Sequence, residues 1–236
     1  MIATYKILST AMCYPTAEFQ AVTEGLIEAL EAENLLPASQ TKALAILLRE
    51  IGTFDLLETQ SRYVDLFDRT RSLSLHLFEH VHGESRDRGQ AMVSLLERYR
   101  EAGLDLSANE LPDYIPLFLE FLSTLQPKEA RAMLADTNHI LSALGERLRK
   151  RQSAYAAIME ALVTLSHSTP DADALAALTE THVENPNDTR AIDQAWEESE
   201  VRFGPDDSND SGCPRATEIV QRMEAYLPDQ TSGARK

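Results

Sequence analysis

Apolar residues recur along this chain at the spacing of one helix face. Met92, Leu95, Leu96 and Tyr99 occupy positions i, i+3, i+4 and i+7, and the same spacing returns within residues 115–122. No run alternates between apolar and polar residues over enough positions to form a strand, and the sequence has no Asn-Gly hairpin turn. The pattern therefore predicts an all-α fold.

Proline, glycine and capping residues divide the chain into helical segments. Pro37 is placed to open one helix and Gly52 to end it. Thr53 or Asp55 would then cap a helix that runs to Phe67. About eight to nine helices are expected before residue 167. Their lengths and short connections predict an antiparallel multi-helix bundle.

The composition changes after the last of these helices. Residues 168–210 carry 12 acidic and two basic side chains, and residues 204–212 cannot bury apolar area. We therefore expect a helical domain over residues 1–167. An acidic linker with short helices would follow over 168–203, where the lone Trp196 could dock the segment back onto the bundle. Residues 204–236 are expected to form a largely disordered tail.

Charge, hydropathy and cysteine content exclude several classes of function. The formal net charge of −16 opposes binding to the phosphate backbone of nucleic acid, whereas a basic peptide suits it. No stretch of 18 apolar residues is available to span a membrane. Cys13 and Cys213 lie 200 residues apart, suggest no disulfide framework and fit a cytoplasmic protein.

The sequence contains none of the common catalytic or cofactor-binding motifs, so we expect neither a catalytic residue nor a bound cofactor. Its densest polar cluster runs from Leu75 to Arg88 and is open to two interpretations. It is either a helix end, a turn at Gly83 and a capped helix from Ser85, or the metal site of a metal-dependent enzyme. A second ligand set is absent elsewhere in the sequence, which favours the structural interpretation. The ligands of the metal alternative would be His76, His80, His82, Glu84 and Asp87.

A second cluster spans residues 110–121 and places aromatic side chains beside carboxylates. Pro112 is expected to start a helix, and Asp113 in its first turn would complement the helix dipole. The aromatic residues are not explained by these roles. Tyr114, Phe118 and Phe121, with Asp113 and Glu120, could line a groove for a basic amphipathic helix, although most of this apolar stripe is expected to be core.

These clusters resemble the NarJ family, the assembly chaperones of respiratory, molybdenum-dependent nitrate reductase. The similar blocks are residues 63–68, 74–92 and 111–121, and the resemblance covers about residues 5 to 165 together with residues 196–203. Relatives in the wider superfamily of redox-enzyme maturation chaperones commonly have His after the Asp of the Pro-Asp motif, whereas this chain has Tyr114. That departure fits the nitrate reductase branch.

The resemblance implies an all-helical, cytoplasmic binding protein that is not an enzyme. The implied partner is the apo catalytic subunit of nitrate reductase, bound through its N-terminal peptide before membrane attachment. The implied outcome is insertion of the molybdenum cofactor into that subunit. The residues expected to contact the peptide are Tyr63, Phe67, Asp68, His82, Glu84, Asp113, Tyr114 and Glu120.

The polar C-terminal tail should be dispensable. We expect truncation after Gly204 to leave the thermal unfolding transition and peptide binding nearly unchanged, because residues 205–236 are polar and poor in apolar side chains. Differential scanning calorimetry and peptide titration of the truncated chain test this. A large drop in melting temperature would show that Cys213 or residues 219–226 pack on the bundle.

Overall fold

The chain folds into helices joined by short turns, as a computed structural model shows. The structure describes residues 2–82, 86–106 and 110–179, and among these residues it contains no β-strand. The all-α prediction is confirmed. In chain order the helices are α1 (Ile2–Ala11), α2 (Ala17–Glu33), α3 (Ala38–Thr53), α4 (Leu56–Phe67), α5 (Glu79–His82), α6 (Arg86–Glu101), α7 (Ile115–Thr124), α8 (Pro127–Asp136), α9 (Asn138–Lys150), α10 (Ala156–Ser166) and α11 (Ala172–Thr179).

The core lies where three helix pairs meet. Helix α1 packs along α7, α2 along α3, and α9 along α10. Fully buried side chains such as Leu8, Phe118 and Leu144 supply the apolar faces that the sequence spacing predicted. Burial of each such side chain contributes about 1.5–3 kcal/mol to folding. No helix in the described part of the chain is long and apolar enough to cross a bilayer.

Helix α4 begins and ends as the sequence indicates. The side chain of Asp55 accepts hydrogen bonds from the backbone N–H groups of Leu57 and Glu58 at 3.0 and 3.2 Å, so Asp55 is its N-cap. The helix ends at Phe67. Helix α11 lies within the predicted acidic linker and packs against α9. The predictions for Trp196 and for residues 204–236 fall outside the described residues.

The start of α7 differs from the prediction. This helix begins at Ile115, after Tyr114 as N-cap, so Pro112 does not open it and Asp113 does not lie in its first turn. The cause is a competing set of backbone hydrogen bonds. Leu77 N–H donates to the Asp113 carbonyl at 3.0 Å, and Ile115 N–H donates to the Leu75 carbonyl at 2.8 Å. These bonds hold Tyr114 in an extended conformation, after a turn at residues 112–113.

Gly52 also has a different role from the expected one. It lies inside α3, which continues to Thr53, where α3 approaches α2 most closely. A Cβ atom at this position would collide with the side chain of Thr23. Gly52 is therefore required by helix packing and not by helix termination.

Substitution of this glycine should destabilise the bundle. We expect Gly52→Ala to lower the free energy of unfolding by about 1–3 kcal/mol, because the new methyl group overpacks the contact with Thr23. Gly25→Ala in α2 is the matched control, since a Cβ there meets no atom within 4 Å, and should raise stability by about 0.5–1 kcal/mol. Urea unfolding of both variants measures the difference. Similar shifts for the two would contradict this account.

Candidate functional site

The two motif clusters of the sequence meet in the structure through one buried carboxylate. His76 and Tyr114 form an isolated antiparallel bridge. Beneath it, Asp113 is 0% exposed. Its carboxylate accepts one hydrogen bond from Phe78 N–H at 3.1 Å and a second from Nδ1 of His76 at 3.2 Å. The bond from His76 requires the tautomer that carries the ring proton on Nδ1.

Aromatic rings continue from this bridge into α4. The hydroxyl of Tyr63 donates to the Met12 carbonyl at 2.9 Å and lies 3.4 Å from the hydroxyl of Tyr114. The ring of Tyr63 packs at 4.9 Å from that of Phe67 and edge-on at 5.6 Å from that of Tyr14. Such contacts fix ring orientations more tightly than apolar burial alone. The buried rings of α4 thus hold Tyr114 and Tyr14 in place from the interior of the protein.

Burial keeps the polar groups at this position uncharged. It raises the pKa of Tyr63 and of Tyr114. For the half-buried thiol of Cys13, burial and then the nearby carboxylates of Glu110 and Glu120 raise the pKa to about 11. At neutral pH the thiol and both phenols are therefore protonated. They offer hydrogen-bond donors and apolar contact and no nucleophile.

Exposed apolar and acidic side chains surround these groups. Tyr14 is 48% exposed and Leu111 is 43% exposed. Leu57, at 75% exposed, lies on α4 one turn before Gln60, whose amide donates to the Pro15 carbonyl at 2.8 Å. The carboxylates of Asp68, Glu110 and Glu120 are exposed, and each lies close enough to raise the pKa of Cys13 or Tyr114. We call this surface the acidic aromatic face, and its members are Cys13, Tyr14, Asp68, Glu110, Tyr114 and Glu120.

The predicted peptide contacts divide into three groups in the structure. Asp68 and Glu120 are exposed and Tyr114 is half-buried, all on the acidic aromatic face. Tyr63 and Phe67 are buried beneath it, as is Asp113. His82 ends α5, but its side chain and all of Glu84 lie outside the described residues.

Two members of the acidic aromatic face were not predicted from the sequence. Cys13 and Tyr14 follow α1 and belong to no motif, so nothing local marks them. They reach the site because α1 packs along α7, where the Ser9 hydroxyl donates to the Pro116 carbonyl at 2.6 Å. The sequence feature that could have indicated their position is the apolar face of α1, which ends immediately before Cys13.

Of the five ligands of the metal alternative, His76 and His80 are not arranged as it requires, and the side chains of His82, Glu84 and Asp87 lie outside the described residues. His76 precedes α5 and does not share a helix face with His80. The Nε2 of His80 lies 2.9 Å from the Ser74 carbonyl and donates to it, which removes that nitrogen as a ligand. Burial also lowers the pKa of His80. Within residues 2–82, 86–106 and 110–179, no group of three or more His, Cys, Asp or Glu side chains could hold a metal ion.

These features describe an all-helical protein with exposed aromatic and acidic side chains grouped on one surface. The model of the nitrate reductase delta subunit family matches residues 18–161, and the chain belongs to that family. It is 44% identical to the nitrate reductase molybdenum cofactor assembly chaperone NarJ of Escherichia coli strain K12 over 208 residues, which are 88% of this chain and 86% of that protein.

Two further relatives are similar over shorter or more divergent alignments. The probable assembly chaperone NarW of Escherichia coli strain K12 is 46% identical over 65% of this chain and 66% of its own length. The probable chaperone NarJ of Bacillus subtilis strain 168 is 29% identical over 68% of this chain and 86% of its own length. The resemblance to the NarJ family that the motifs indicated is confirmed.

Removal of the buried carboxyl group of Asp113 should weaken the fold. We expect Asp113→Asn to lower the free energy of unfolding by about 1–3 kcal/mol, because the hydrogen bonds from Phe78 and His76 to its two oxygens are lost or weakened. Asp68→Asn removes an exposed carboxylate from the acidic aromatic face. It serves as the control and should change the free energy of unfolding by less than about 0.5 kcal/mol. Urea unfolding followed by circular dichroism measures both. Equal stability of the two variants would show that the bonds from Phe78 and His76 contribute little.

Proposed function

We propose that this protein is an assembly chaperone for the catalytic subunit of a molybdenum-dependent respiratory nitrate reductase. The observation that carries the proposal is the acidic aromatic face, found in a chain whose relatives are named as chaperones of that enzyme. The partner is the apo subunit, bound through its N-terminal peptide in the cytoplasm before membrane attachment. The bound state supports insertion of the molybdenum cofactor, which the client holds and this chain does not.

A basic amphipathic helix is the ligand that suits the face. Tyr14, Leu57 and Leu111 present apolar area to a partner, and an apolar helix stripe would cover it. Asp68, Glu110 and Glu120 are positioned to pair with Lys or Arg on the flanks of such a helix. These charge pairs would orient the peptide and speed its association, whereas the apolar anchors would supply most of the affinity.

The buried residues have a supporting role in this proposal. Both oxygens of Asp113 accept hydrogen bonds from within the chain, so Asp113 positions Tyr114 and does not itself pair with a client cation. Tyr63 and Phe67 support Tyr114 and Tyr14 from below. Contacts of the peptide with His82 and Glu84 remain predictions.

Binding of the client's N-terminal peptide should depend on the carboxylates of the acidic aromatic face. We expect Glu120→Lys to reduce affinity by about 0.5–2 kcal/mol, since it removes one attraction and adds one repulsion at a partly exposed position. Rising salt should weaken binding to the unmodified protein, because charges separated by about 8–10 Å are screened at physiological ionic strength. Isothermal titration calorimetry measures both effects.

Glu31→Lys is the matched control. Glu31 is also an exposed helical carboxylate, but it lies near the end of α2 that is remote from Pro15. Its reversal should leave peptide affinity unchanged. Equal losses for both variants, or an affinity that does not vary with salt, would contradict the electrostatic part of the proposal. Failure of the tagged chain to capture the catalytic subunit from cells grown anaerobically with nitrate would contradict the function itself.

A further inference from the structure

A second concave surface lies on the opposite flank of α4. It is a cleft of about 340 Å³ between α3, α4 and the turn that joins α9 to α10, within the ~300–1,000 Å³ range of ligand pockets. Its floor is formed by Leu47, Ile51 and Tyr155. Gln60 on the other flank of α4 reaches Pro15 instead, so the cleft is separate from the acidic aromatic face.

Cations border this apolar floor. Arg62 lines the cleft with its guanidinium 4.7 Å above the ring of Phe54. Arg151 lines it from the other side and donates to the Thr70 hydroxyl at 3.2 Å. Of the two carboxylates in the lining, Asp65 is paired with Arg69 at 3.0 Å and Glu50 lies on the α3 wall. The guanidinium of Arg62 is also paired with Glu58. The cleft thus combines an apolar floor with guanidinium groups that have partners within the chain and would exchange them for the carboxylates of an acidic ligand.

The described chain ends beside this cleft. Helix α11 packs against α9, and the guanidinium of Arg147 donates to the Leu178 carbonyl. Residue 179 thus lies near the C-terminal turn of α9, one turn from Arg151. The sequence beyond it is strongly acidic, with six acidic side chains and one basic side chain over residues 184–200. The single tryptophan of the chain, Trp196, is within this segment.

We propose that residues 184–200 bind back into the cleft, with the indole of Trp196 on the apolar floor. Glu197 and Glu198 then lie beside Arg62 and Arg151. The segment is long enough to bring Trp196 to the cleft, because the 17 residues from 179 to 196 can span roughly 55–60 Å. Tethering also gives the segment a high effective concentration, about millimolar for a short flexible linker. The same acidity repels it from Glu110 and Glu120, so the acidic aromatic face stays open to a client.

The lone tryptophan provides a direct test in the full-length protein. We expect the fluorescence of Trp196 to be blue-shifted and protected from acrylamide quenching. Ala154→Phe, which fills the cleft, should shift the emission to the red and raise the quenching constant severalfold. Arg62→Glu should do the same to a smaller extent. Arg49→Glu is the matched control, because Arg49 is similarly exposed and similarly paired with a glutamate but lies outside the cleft, and it should change neither quantity.

Several results would overturn the proposal. A solvent-exposed Trp196 in the unmodified chain would show that the cleft is open to another occupant. A protected Trp196 that responds to neither Ala154→Phe nor Arg62→Glu would place the indole elsewhere. Protection that disappears on dilution, in parallel with dimer dissociation in sedimentation measurements, would make a second copy the occupant. Circular dichroism melts identify any variant that has failed to fold. If Ala154→Phe does not fold, the response of Trp196 fluorescence to Arg62→Glu tests the proposal by itself.

Discussion

The buried carboxylate of Asp113 is the contact on which the arrangement of this protein depends. It joins the chain before α5 to the chain before α7, through bonds from Phe78 and His76. An unpaired carboxylate at this depth would be costly, so the two segments are held together or the charge is exposed. The extended backbone that results delays the start of α7 and turns Tyr114 toward the surface. A structural interaction thereby sets the geometry of the proposed binding site.

Aromatic packing extends this organisation across α4. The rings of Tyr63 and Tyr155 both contact Phe67, at 4.9 and 5.1 Å. Tyr63 supports the acidic aromatic face, whereas Tyr155 forms part of the floor of the cleft on the other flank. One buried cluster therefore underlies two surfaces, one bordered by carboxylates and the other by both guanidinium groups and carboxylates. Closely packed rings leave little room for rearrangement, which favours surfaces that are formed before a ligand arrives.

The distribution of charge separates the roles of these surfaces. Carboxylates at Glu110 and Glu120 favour a basic ligand, and the guanidinium groups of Arg62 and Arg151 favour an acidic one. A uniformly acidic chain would repel its own acidic linker everywhere. In the two proposals above, the linker and a basic client bind at different surfaces and therefore do not compete.

The sequence by itself determined the helical class and the family, and it narrowed the cap of α4 to Thr53 or Asp55, because periodicity, capping and motif blocks are local properties of the chain. Its eight peptide contacts, Tyr63, Phe67, Asp68, His82, Glu84, Asp113, Tyr114 and Glu120, stay a prediction made through motifs. Tertiary structure decided which of the described ones are buried and which are exposed. The burial of Asp113 and the arrival of Cys13 at the site depend on contacts between segments far apart in sequence. Local rules place Asp113 on a helix, but the backbone partners that override them come from residues 75–78, which no pattern around position 113 reveals.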